Sequence, residues 1–386
     1  MKQKMEKISI LALSMLLLST YSISAAMPAM EQYYTGYSRA AVEQLVSISS
    51  FAMMIVILLN TWICRFLSQR KSITIGIILI VAGGTAPIFV QDYTFVFAAR
   101  VLMGCGIGLI NPLAINLINE RYDGKERADL LGYRSSAEVL GNALLTFLAG
   151  ILLVFGWTKT FLVYLAAIPV LILYYCFVTS GKTTQTQTED TQKGGLADTK
   201  GYRGFLLSTF ALGFLTITIN NCVTLRIPTV TLERGLGTDT QSSMVLSAMM
   251  IMGIVAGVIF GKLTQMLKKQ ILAVFLLILG VSLLILAGSQ HMAVLIVAAM
   301  INGLAYNTLA TIIFHRVSTR LPQNIMHIGT TCGLVGCNLG ASACPYLMGL
   351  IGLADDAAHI PFVVYGVFTL VLGALLLVQT LRVKNK

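Results

Sequence analysis

The feature that most constrains this chain is a series of apolar runs, each about 20 residues long, separated by short polar gaps. Twelve such runs lie near 8–28, 43–64, 72–91, 95–119, 129–155, 160–179, 203–226, 242–261, 270–288, 292–315, 327–353 and 360–381. Composition shows that these are not ordinary core segments. Of 386 residues, 56% are hydrophobic and 11% charged, and the mean hydropathy is +0.81. A soluble domain carries about 25% charge. The 27 Lys and Arg with 16 Asp and Glu cannot clothe the two or three soluble domains that this length would make. A soluble enzyme, a disordered chain and a disulfide scaffold are excluded. The pattern predicts an all-α membrane protein of twelve transmembrane helices.

The net charge of +11 raises the question of nucleic acid. Placement of the charges answers it. With the N-terminus inside, the inner segments hold 22 of the 27 Lys and Arg. The outer loops hold Arg39, Lys159, Arg226 and Arg234, and Arg100 alone falls within a span. This positive-inside bias predicts a multi-pass protein of the cell membrane with both termini cytoplasmic. The basic balance reports orientation, and no nucleic-acid partner is expected.

Residues 1–26 also read as a secretory leader: a basic start, an apolar Ile8–Leu18 and a small-residue Ser24–Ala25–Ala26. Apolar character continues through Met27 and Met30, so a retained first span is expected. Seven cysteines, Cys64, Cys105, Cys176, Cys222, Cys332, Cys337 and Cys344, sit in or at the ends of spans without metal spacing. They read as small packing residues, and no metal or cofactor is expected. One long polar stretch, GKTTQTQTEDTQKGGLADTK, lies near the midpoint and cannot bury a core. It divides the chain into an N-terminal six-helix bundle (1–179), a cytoplasmic linker (180–202) and a C-terminal six-helix bundle (203–386). The halves echo one another. Gly104 matches Gly303, Gly141 matches Gly340 and Gly150 matches Gly349 at an offset of 199, and Arg70–Lys71 matches Lys268–Lys269 at 198. Two parallel six-helix repeats, related by a pseudo-two-fold, follow.

Arg100-x-x-x-Gly104-x-Gly106-x-Gly108 in the fourth span matches the R-x-x-x-G-x-G-x-G pattern of the major facilitator superfamily, which the chain resembles over nearly its whole length. Asn60–Lys71 stands where that family carries G-x-L-x-D-R-x-G-R-R, with Asn60 in place of the Gly and Cys64 in place of the Asp. Gly261–Lys269 is a partial echo of it, and Asn119–Gly132 resembles the loop after the fourth span in bacterial members. The antiporter Gly-Pro of the fifth span is absent, while Cys344–Pro345 stands in the eleventh. The resemblance leans to bacterial drug–proton antiporters. It implies alternating access of two bundles around a central site, a proton-coupling role for Arg100, and a cytoplasmic gate of Arg65, Arg70, Lys71 and Glu120.

The residues themselves supply the rest. Gly104 and Gly108, one turn apart, offer a smooth face to a neighbouring helix. A charge at mid-bilayer costs at least about 2.5 kcal/mol, so it marks a use or a partner. Arg100 and Glu138 are the two ionisable groups well inside spans, and both are proton-coupling candidates. Arg100 shares a helical face with Asn111. Alternatively it snorkels to the outer surface. Arg134, Glu138 and Asn142 follow at i, i+4 and i+8 and make a polar stripe. Glu138 is read there either as a proton carrier or as a fixed partner of Arg134. Asn111 and Asn142, with Thr216, Asn220 and Asn221 in the seventh span and Asn302, Tyr306 and Asn307 in the tenth, are candidates for an uncharged, amphipathic cavity. Few cavity Arg or Lys argue against phosphate or dicarboxylate solutes, and the lack of a P-loop argues against ATP. No enzyme activity is expected. The expected function is secondary active transport, with proton-coupled efflux of drug-like or amphipathic compounds first. Proton-coupled uptake of a small metabolite and a non-transporting membrane sensor remain open. The expected partners are a small-molecule solute, protons and the lipid bilayer, and the chain is expected to be a monomer.

Overall fold

The computed structural model describes residues 2–122, 124–178, 201–322, 325–353 and 357–384. Among these the structure is helical throughout. The helices are α1 (Lys2–Met15), α2 (Met27–Tyr33), α3 (Arg39–Phe66), α4 (Gln69–Thr85), α5 (Tyr93–Arg121), α6 (Gly124–Leu152), α7 (Ala167–Phe177), α8 (Arg203–Glu233), α9 (Asp239–Leu267), α10 (Ile271–Gly288), α11 (Met292–Arg320), α12 (Met326–Gly352) and α13 (Ile360–Lys384). Among the described residues, ten stretches are long and apolar enough to cross a membrane, and the bent pair Lys4–Met15 with Ser19–Tyr33, taken as one span, makes an eleventh. The stretch Asp239–Gly288 contains both α9 and α10, parted at Lys268–Gln270. Most of the predicted linker falls in 179–200, outside the described residues.

The chain divides into two compact units, Met1–Thr184 with Thr238–Ser247, and Gln185–Gly237 with Ala248–Lys386. Inside the first, α5 packs on α3 and α4, α1 on α6 and α7, and α4 on α7. Inside the second, α8 packs on α12, and α10 on α11 and α13. Counted in spans, each unit pairs its first with its fifth, its third with its fourth and its third with its sixth.

Glycines explain these pairings. A Cβ at Gly104 would collide with the Ser49 carbonyl of α3, and one at Gly303 with the Met249 carbonyl of α9. Likewise Gly141 lies on the Met15 backbone and Gly340 on the Phe214 backbone. The 199-residue offset read from the sequence is therefore an offset of contacts. Gly108 also meets α3, at Met53, whereas Gly106 meets α4 at Gly76. The alternating glycines let α5 lie against two helices at once.

Two expectations need correction. The first span is not one continuous helix. Leu16–Ala26 runs through 3₁₀ turns at Ser19–Tyr21 and Ser24–Ala26, and the span bends by 48°. Ser19, Thr20, Ser22 and Ser24 crowd this stretch, and Ser19 Oγ donates to the Leu16 carbonyl. Such local bonds compete with the helix ladder. Pro28 then opens α2, where its missing N–H costs nothing. Second, Arg226 is not in an outer loop. Helix α8 continues through Pro228 to Glu233, since neighbouring helices tolerate a proline in a span. Arg226 is thus inside a helix and only 2% exposed. Glu43 is also fully buried, because α3 starts a turn early, where the Ser38 hydroxyl accepts from the Ala41 N–H. Ionisable groups inside the spans therefore exceed the two expected.

Candidate functional site

The polar stripe of α6 brings a carboxylate and a guanidinium together inside the first unit. Arg134 Nη2 lies 2.6 Å from Glu138 Oε1, one turn on along the same helix. The two side chains are only 11% and 18% exposed. The same Nη2 donates to Asn111 Oδ1 of α5 at 2.9 Å. A further turn along α6, Asn142 Oδ1 accepts from Ser22 Oγ at 3.3 Å, out of the broken stretch of the first span. Asn111, Glu138 and Asn142, singled out in the sequence, thus fall into two contacts one turn apart on α6, Arg134 with Glu138 and Asn111 and Ser22 with Asn142. The arrangement holds one carboxylate, one guanidinium and two amides. It can exchange a proton, and it can offer hydrogen bonds to an uncharged group.

Arg100 takes a different place. Its side chain is fully buried and shares no described partner with Asn111. Its guanidinium donates to the carbonyls of Thr20, Leu45 and Val46, to the Tyr164 hydroxyl and to Met103 sulfur.

In the second unit the candidates do not converge on one spot. Thr216 and Asn221 of α8 are buried and Asn220 is half-buried. Asn302 donates to Ser282 Oγ of α10 at 3.2 Å. Asn307 donates to its own helix at Gly303 and packs over Gly253 of α9. Asn302 thereby serves a helix–helix bond, and Tyr306 is half-buried between these two asparagines in α11.

Of the four gate candidates, the side chains of Arg65 and Glu120 lie outside the described residues. Arg70 stacks 4.4 Å from the Tyr175 ring centroid of α7, whose hydroxyl pairs with Thr74 at 2.8 Å. Lys71 is exposed. The ion pairs described near this end are Arg121 with Glu6 and Lys7 with Glu126, which tie α1 to the α5–α6 connection. Lys7 also sits over the Tyr122 ring. Burial, with Glu6 close by, pushes the Tyr122 phenol up.

Sequence reasoning missed Tyr164, Glu43 and Arg226. The signal for Tyr164 was an aromatic hydroxyl inside an otherwise apolar span, which needs a partner when buried.

The Major Facilitator Superfamily sequence profile matches residues 10–341. The chain belongs to the major facilitator superfamily. Its fold is that of solved members of transporter families. A mutant of the peptide transporter POT superposes with a TM-score of 0.76 at 14% identity, over 97% of this chain and 94% of that one. The inward-open xylose transporter XylE from E. coli gives 0.74 at 15%, over 97% and 95%. The H(+)/hexose cotransporter 1 of Parachlorella kessleri is 30% identical over 102 residues, or 26% of this chain. That match spans 19% of the cotransporter's length. As a major facilitator, the chain is a multi-pass membrane protein of a secondary-transport family whose substrates are small-molecule solutes.

Proposed function

We propose that this chain couples solute movement to protons by alternating access, and that Glu138 takes up and releases the proton. The observation that supports this reading is the Arg134–Glu138 pair, largely withdrawn from water, with Asn111 as a second acceptor on the same Arg134 nitrogen. Protonating Glu138 removes its attraction for the guanidinium, and Asn111 is in place to hold Arg134 when that happens. A pair with two stable arrangements is what a coupled conformational step requires. The solute is a neutral or amphipathic molecule, since the Asn and Ser groups at hand match hydroxyls and amides rather than multiple anionic groups.

The motif resemblance favours efflux of drug-like or amphipathic compounds. A second reading, proton-coupled uptake, is favoured by the likeness to a hexose cotransporter. Right-side-out vesicles separate the two, because accumulation on energisation belongs only to uptake. The coupling itself is tested in proteoliposomes with a solute found by thermal-shift screening. Glu138→Gln is expected to abolish pH-driven transport and retain counterflow exchange. Intact pH-driven transport in that variant removes Glu138 as the carrier.

A further inference from the structure

The break in the first span creates a problem that the sequence leaves unsolved. Inside a membrane every carbonyl needs a donor, and a stretch of 3₁₀ turns cannot keep the helix ladder satisfied along its length. Two side chains far along the chain supply donors. Arg100 Nη2 donates to the Thr20 carbonyl at 2.5 Å. Tyr164 Oη gives the Ser19 carbonyl a second donor at 3.2 Å, beside the Ser22 N–H that already bonds it, and accepts from Arg100 Nη1 at 2.8 Å.

A guanidinium has five N–H groups. Here all five are engaged. Nε binds the Leu45 carbonyl at 2.9 Å. Nη1 serves Tyr164 Oη and Met103 sulfur, the latter at 3.0 Å. Nη2 serves the Thr20 and Val46 carbonyls, the latter at 3.1 Å. Neither water nor a solute touches a group that is 0% exposed. The backbone of Arg100 is held too, since Ser49 Oγ donates to its carbonyl at 2.8 Å. Gly84 of α4 makes the space that the Tyr164 ring fills.

We propose that Arg100 is a positioning residue rather than a solute or proton contact. With Tyr164 it clasps Ser19 and Thr20 at the break, and so sets Ser22 against Asn142, one turn from Glu138. Charge alone does not do this. The clasp needs donors pointing in several directions from one rigid plane, which lysine cannot offer. This inference holds whether or not Glu138 carries a proton, and its test does not involve transport.

The test is hydrogen–deuterium exchange, read by mass spectrometry, on the full-length protein in lipid nanodiscs. Arg100→Lys keeps the charge and loses the fork. Amides of residues 16–26 are expected to exchange about tenfold faster, the effect of losing charge-assisted bonds worth at least one decade in equilibrium. Amides of α10 should not change. Tyr164→Phe, which keeps the ring, is expected to speed the same segment by a smaller factor. Wild-type exchange of residues 16–26 in Arg100→Lys overturns the proposal, as does a uniform loosening of all of residues 2–178. Should Arg100→Lys not fold, Tyr164→Phe decides, and unchanged exchange in that variant also overturns it.

Discussion

Replacing Arg134 by methionine should destabilise the protein more than replacing Glu138 by glutamine, although both remove the same ion pair. At 2.6 Å and an effective dielectric near 20, the pair gains about 6 kcal/mol of Coulomb attraction. Desolvation of both partners cancels most of it. What differs is the group left behind. In Glu138→Gln an amide oxygen still accepts from Arg134, and Asn111 accepts as well, so the loss is about 1–2 kcal/mol. In Arg134→Met the carboxylate is left without its countercharge while 18% exposed, at a cost of about 2–4 kcal/mol after allowance for that exposure. The double variant Arg134→Met with Glu138→Leu should recover to within about 1 kcal/mol of wild type, as apolar replacements of buried pairs do. Thermal unfolding of the purified protein in detergent reads these differences at about 2–4 °C per kcal/mol for a unit of this size. If Arg134→Met melts no lower than Glu138→Gln, or the double variant melts below both single ones, the reasoning fails.

Other outcomes follow from packing and from surface charge. Gly104→Ala and Gly303→Ala each drive a methyl into the backbone of a neighbouring helix, and should each cost about 1–3 kcal/mol in the same assay. Gly257→Ala, with nothing within 4 Å of the added carbon, should instead gain up to about 1 kcal/mol of helix stability. Glu6→Gln and Glu126→Gln remove the two ion pairs between α1 and the α5–α6 connection. Glu6→Gln should lower stability by at most about 1 kcal/mol and Glu126→Gln should lower it slightly, with each difference from wild type shrinking as salt rises.

Much of the fold was legible because two independent physical pressures mark the sequence. Lipid excludes charge from the spans, and close helix approach demands glycine at matching places in both halves. Gly104 with Gly303, and Gly141 with Gly340, carried the repeat and prove to be the contact points themselves. The break in the first span was not legible. A hydropathy window averages over Leu16–Ala26, and the donors that permit the break lie 80 residues or more away at Arg100 and Tyr164. Arg226 was misplaced because a hydropathy run ends where a charge appears, whereas α8 continues past it through Pro228 to Glu233. Within the α6 stripe, the i, i+4 rule made the Arg134–Glu138 contact legible, since that relation is local to one helix. The roles of Asn302 and Asn307 depended on which helix each one faces, Asn302 toward α10 and Asn307 onto α9. Two polar residues five apart in α11 carry no mark of that difference.

The central claim is that Glu138 gains and loses a proton inside the membrane. N,N′-dicyclohexylcarbodiimide reacts with protonated carboxyl groups in apolar surroundings, and mass spectrometry of the labelled full-length protein in liposomes locates the adduct. Labelling of Glu138 should be strong at acid pH and should fall as pH rises. In Arg134→Met, where no guanidinium competes with the proton, it should persist to higher pH. A Glu138 that stays unlabelled at every pH in the folded protein, or labels equally at all of them, would contradict the account.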